Sequence, residues 1–93
     1  MEVKYTAHLQ WRLNIRSIPY ELPRQIWEAS NEHYMDTLTN HNIAIHKIKY
    51  NGKLREMAVS YDKKENSIEI ITVHPIKSRQ KNGRIHSGRW IKI

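Results

Sequence analysis

Residues Ile43–Val73 read IAIHKIKYNGKLREMAVSYDKKENSIEIITV, and how this stretch folds back on itself decides the architecture. Ile43 to Tyr50 alternates loosely between apolar and polar residues and meets a second run, Leu54 to Tyr61, across Asn51-Gly52. An Asn-Gly pair between two such runs is a strong hairpin signal, because the favoured two-residue turn needs a positive φ at both central positions. The second run closes in the charged turn Asp62-Lys63-Lys64-Glu65-Asn66, and Ile68 to Val73 returns as a third strand, apolar enough to lie inside a sheet. An antiparallel meander is the expectation.

Upstream, Val3, Tyr5, Ala7, Leu9, Trp11, Leu13 and Ile15 alternate strictly with polar residues, which is the period of a half-buried strand. A strand of that length is long for a 93-residue domain, and Thr6 is placed to cap a helix, so a short extended start followed by a helix from about Thr6 to Arg16 is expected. Leu9 and Leu13 then share one face and His8, Arg12 and Arg16 another. Ser17-Ile18-Pro19 breaks this element, and a second helix begins near Leu22 with Pro23 in its first turn. On a helical wheel Leu22, Ile26, Ala29 and His33 fall together, while Gln25, Glu28, Glu32 and Asp36 make a solvated acidic side. Trp11 and Trp27 are assigned to the core. After Val73 the chain is expected to turn at Asn82-Gly83, and Arg84 to Ile93 to add an edge strand or to wrap across the sheet with Trp90 as its anchor. The fold class is thus α+β: residues 1–93 form a single small domain, with two N-terminal helices packed on a three- to four-stranded antiparallel sheet.

The charge pattern narrows the function. The formal net charge is +7 and the pI about 9.9, so polyanions are the natural partners. Val73 to Ile93 carries Lys77, Arg79, Lys81, Arg84, Arg89 and Lys92 with no Asp or Glu, and such cations displace the counterions condensed along a nucleic acid. Zero Cys excludes a disulfide scaffold, a thiol nucleophile and a cysteine zinc site. No apolar run approaches the length needed to cross a bilayer and the N-terminus lacks a signal-peptide core, so a cytoplasmic protein without membrane contact is expected. No phosphate loop, serine elbow or metal-spaced pair appears, and no cofactor is implied.

Several residues carry a family resemblance. His8, Arg12 and Arg16; Tyr34 and Asp36; Tyr50-Asn51-Gly52-Lys53 with Tyr61; Ile71 to Ile76; and Arg84-Ile85-His86-Ser87-Gly88-Arg89-Trp90 resemble, in their order and spacing, the DUF4258 family. That family is similar to the BrnT and RelE-type toxins of toxin–antitoxin modules. The resemblance implies a RelE-like fold, a metal-independent endoribonuclease acting on single-stranded RNA, and an antitoxin protein as partner.

Cutting RNA without a metal requires a base for the 2′-hydroxyl, an acid for the leaving 5′-oxygen and cations for the phosphate. His74, at the expected end of a strand, is the candidate for base or acid, with His8 as its complement. Arg84 and Arg89, with Arg79, are candidates to hold the phosphate, and Arg12, Arg16, Lys77 and Lys81 to extend the basic surface. Tyr61 and Trp90 are candidate stacking platforms for bases. His33, His41, His46 and His86 show no ligand spacing. Each assignment has a plainer counterpart: His74 before Pro75 also simply ends a strand, and Trp90 also simply anchors a core. The same basic segment equally suits a non-catalytic module that binds nucleic acid or an acidic protein.

Overall fold

A computed structural model describes residues 1–93. Along the chain run β1 (Glu2–Tyr5), α1 (Ala7–Ile15), α2 (Leu22–Ala29), β2 (Glu32–Asp36), β3 (Asn42–Tyr50), β4 (Lys53–Lys63), β5 (Ser67–Pro75), α3 (Ser78–His86) and β6 (Trp90–Lys92). The six strands form one sheet in the order β1-β5-β4-β3-β2-β6. β1 runs parallel to β5 and every other pairing is antiparallel.

The β3–β4 hairpin forms as its turn chemistry requires. Asn51 and Gly52 take φ of 52° and 78°, and Tyr50 pairs with Lys53. The ambiguous N-terminal alternation resolves into both candidate structures. Val3 and Tyr5 sit in β1, and the chain becomes helical where the Thr6 hydroxyl accepts a hydrogen bond from the Leu9 amide at 3.1 Å. The helix buries Leu9 and Leu13 and leaves Trp11 57% exposed, so Trp11 is not a core residue. Trp27, half-buried, packs against the core.

Three expectations are corrected. First, α2 stops at Ala29 instead of continuing through the acidic stripe. Ser30 turns extended (φ −68°, ψ 133°), its hydroxyl donates to the Ile45 carbonyl at 2.6 Å and accepts from the Glu32 amide at 3.1 Å, and the chain leaves the helix to pair with β3. Second, Asn82-Gly83 lies inside α3 rather than in a turn. The helix begins where the Gln80 side chain accepts a hydrogen bond from the Lys77 amide at 3.1 Å, and Ile76 and Ile85 tie it to the sheet. The reversal comes later, at Gly88 with φ 81°, ahead of the short strand β6. Third, the architecture is not two N-terminal helices on a three- to four-stranded antiparallel sheet: there are three helices and a six-stranded mixed sheet.

The layers follow from side-chain alternation. Ala44, Met57, Val59, Ile68 and Ile70 pack with Leu9 and Leu13 of α1 and Leu22 and Ile26 of α2. Ile43, Ile45 and Ala58, their neighbours in sequence, point the other way and pack with Tyr34, Ile76, Trp90 and Ile85 of α3. Two helices therefore cover one face and a single short helix the other. No helix is long and apolar enough to cross a membrane.

Candidate functional site

One irregularity in β5 decides what the α3 face presents. Ser60 pairs with Thr72 but Tyr61 pairs with Ile70, so Ile71 is an extra residue in the ladder. Before this bulge the even-numbered Ile68 and Ile70 enter the α1/α2 core. After it Val73 takes that side, while Thr72 and His74 are carried to the α3 face, opposite Ser60 and Ala58. A regular strand would have aimed His74 into the α1/α2 side.

His74 thereby lines a groove of about 360 Å³ shared with His41, Ser60, Thr72, Arg84 and Arg89, with Trp90 at its wall. His41 comes from the β2–β3 connection, and its Nδ1 lies 2.6 Å from Asp62 Oδ1. An ionised carboxylate only accepts, so Nδ1–H donates to Asp62 and Nε2 is the free nitrogen. The hydroxyls of Ser60 and Thr72 are 2.6 Å apart on the floor. The Arg84 guanidinium carbon sits 5.2 Å from the centre of the Trp90 ring, which holds the charge in place by a cation–π contact. His74 keeps a solvent-accessible side, but the protein around it and the positive charge of Arg84 both disfavour the imidazolium and lower its pKa below 6.5.

The basic segment is partly neutralised by acidic residues of β2. Buried Asp36 takes a two-point bond from Arg89, Nε to Oδ1 and Nη2 to Oδ2, each 3.0 Å. Burial alone would raise the Asp36 pKa, but Arg89, the Leu38 amide and the nearby Trp90 indole outweigh it and hold it at about 2. Lys81 is spent in the same way, 3.0 Å from Glu32 and 2.9 Å from Glu56. Glu32 also accepts from Tyr34 Oη at 2.6 Å, and burial together with that carboxylate pushes the Tyr34 phenol up to about 12. Thus Glu32 and Asp36 are partners of the basic segment, not a solvated acidic face.

The other candidates from the sequence divide clearly. His8 is exposed on α1, on the far side of the sheet from the groove, with its ring 5.8 Å from that of Trp11, so it does not meet His74. Arg12 is exposed on α1, away from the groove. Arg16, at the end of that helix, shares a small hollow of about 80 Å³ with His74 and Pro75. Lys77 and Arg79 are exposed at the start of α3, and Lys77 lines a separate hollow of about 580 Å³ with Lys47 and Arg55. That hollow is larger than the groove but holds no histidine, whereas the groove holds two. Stacking on a base needs an exposed ring face, which neither Tyr61 nor Trp90 offers at 5% and 3% exposure. Tyr61 belongs to the α1/α2 core, with its hydroxyl 2.8 Å from His33 Nδ1, and Trp90 stacks on Tyr34.

His41 and Asp62 are the pair that sequence reasoning missed. The signal was present in the hairpin: a two-residue turn at Asn51-Gly52 sets Asn42 against Tyr61, and one further step sets His41 beside Asp62. No group of three or more histidine and carboxylate side chains converges to hold a metal ion. With two imidazoles, three hydroxyls (Thr39, Ser60 and Thr72), the Arg84 guanidinium and an Asp36 carboxylate already bonded to Arg89, the groove has groups that can transfer protons beside a cation. Comparison with protein-family models, with curated proteins and with solved structures gives no match for this chain.

Proposed function

We propose that the protein is a metal-independent endoribonuclease whose active site is the groove on the α3 face. What carries the reading is the meeting, in one groove with the unpaired guanidinium of Arg84, of His74 with a second histidine oriented by a carboxylate. His74, with its lowered pKa, is neutral at pH 7 and takes the proton from the ribose 2′-hydroxyl. The 2′-oxygen attacks phosphorus, the bond from phosphorus to the 5′-oxygen breaks, and His41, protonated at Nε2, gives its proton to that leaving oxygen. The products are a 2′,3′-cyclic phosphate and a 5′-hydroxyl end. Asp62 holds the His41 ring with Nε2 toward the groove. Arg84 meets the charge that develops on the non-bridging oxygens. Arg89, committed to Asp36 through two of its nitrogens, chiefly shapes the wall and has its remaining N–H groups for the phosphate. A protein that silences the enzyme would have to cover this groove.

The test is cleavage of single-stranded RNA in EDTA, with product ends analysed, for wild type beside His74→Ala and His41→Ala. Cleavage by wild type that both variants lose while remaining folded supports the reading. No chelator-resistant cleavage at high protein concentration, with or without ribosomes, overturns it. The non-catalytic alternative then gains if RNA binding persists and falls steeply with salt.

A further inference from the structure

The groove is not isolated. His74 lines both the groove and the small hollow that contains Arg16, and Pro75 lines both that hollow and the larger one of about 580 Å³. The three depressions thus share lining residues at the His74-Pro75 step, where β5 ends, the small one on the α1/α2 side and the other two on the α3 side. The largest is lined by the cations Lys47, Arg55 and Lys77, all exposed and none in an ion pair, together with Ser78 and Gln80. Its only carboxylate, Glu56, is bonded to Lys81 at 2.9 Å. Its charge is thus uncompensated, in contrast to that of Lys81 and Arg89. Pockets for small apolar ligands are enclosed and mostly hydrophobic; this one is open and has two hydrophobic residues among its nine, which suits a backbone of repeated phosphates.

We propose that this hollow is a subsite for the phosphate backbone flanking the bond cleaved in the groove, so that the substrate is a single-stranded polynucleotide several nucleotides long rather than a dinucleotide. This rests on the ribonuclease reading of the groove. The strand passes from Arg84 across His74 and Pro75 to Lys77, Lys47 and Arg55. Ribose chemistry is not needed there, so a DNA strand occupies the hollow as well as RNA does and resists cleavage for want of a 2′-hydroxyl.

The experiment uses that property. Fluorescence anisotropy with a labelled single-stranded oligodeoxynucleotide of about 12 nucleotides is measured against salt for wild type, for Lys47→Ala with Arg55→Ala, and for Lys4→Ala with Arg24→Ala. The last two positions line a separate hollow beside β1 and α2 and control for net charge. The hollow variant is expected to bind about tenfold more weakly at low salt, with a log–log salt slope shallower by about 1.4, while the control binds as wild type does. Equal losses in both variants, or none in either, overturn the subsite. So does wild-type binding to polyglutamate but not to the oligonucleotide, which assigns the surface to an acidic protein. Chelator-resistant RNA cleavage with oligonucleotide binding unchanged in the hollow variant overturns the subsite and leaves the groove's chemistry standing. Binding lost in the hollow variant without any RNA cleavage by wild type overturns the chemistry and leaves the hollow as a binding surface.

Discussion

On the face beneath α1 and α2, ten buried residues form one apolar cluster, whereas on the α3 face six do, and that face also carries polar residues, among them Ser60, Thr72 and His74. The first face holds the larger apolar cluster and so contributes the larger share of the hydrophobic stabilisation. On the second face a helix of nine residues covers only part of the sheet, and ion pairs from Asp36 and from Glu32 with Glu56 fasten its surroundings. A sheet with unequally covered faces can keep a polar, water-accessible groove without losing its core. The proposed chemistry and the larger core thus lie on opposite sides of one sheet, and substitutions should separate them.

The largest expected effect is on the groove side. His74→Ala or His41→Ala should lower the rate of RNA cleavage by about 10²–10⁴-fold, the usual contribution of an acid–base residue, with little change in the melting temperature. A parallel fall in stability would break the division between the faces. On the other side, Ile26, fully buried beneath α2, should cost about 2–5 kcal/mol when truncated to Ala, measured by denaturant unfolding, without altering the specific activity of the folded fraction.

The Asp36–Arg89 pair tests whether the groove's wall also carries stability. The Asp36 carboxyl is held at about 2 against an ordinary 3.8, so its contribution is present in full above pH 4 and is lost as pH falls through 2. That contribution is about 2 kcal/mol, and Arg89→Ala should remove the part of the acid sensitivity that falls in this window. Arg84 sharpens the assignment of His74. It lowers the His74 pKa together with desolvation, so the acid limb of the pH–rate profile should lie below 6.5 in wild type and move upward in Arg84→Gln. An unmoved limb would assign that limb to another group. The smallest effect is expected from Arg12→Ala, exposed on α1, which should change stability by less than about 0.5 kcal/mol and leave cleavage intact.

Much of this division was legible locally. The Asn51-Gly52 hairpin, the third strand and the Thr6 cap each depend on a few adjacent residues, and each formed where those residues lie. The lost portions depend on distant partners. Glu32 to Asp36 has a fair helical pattern, but Ser30 bonded to Ile45 and a vacant strand position beside β3 outweigh it. Asn82-Gly83 is good turn chemistry, yet Ile76, Ile85 and the Lys81 ion pairs make helix the better state there. In the candidate site, His74, Arg84 and Arg89 were singled out from sequence and line one groove, whereas His8 was matched to the wrong side of the sheet.

The sequence by itself determined that this is a small, strongly basic protein with a hairpin-centred sheet and a run of cations toward the C-terminus, because composition and short-range turn and cap chemistry need no partner. Only the tertiary structure decided which of those charges are free. Arg89 and Lys81 are neutralised by carboxylates far away in sequence, while Lys47, Arg55 and Lys77 have no ion-pair partner. It also decided which histidines share a groove, since one extra residue in β5 turns His74 toward the face that holds His41 and Asp62. The physical reason is range: turns and caps are closed by neighbours a few residues apart, whereas the facing of a strand and the pairing of a charge depend on long-range register.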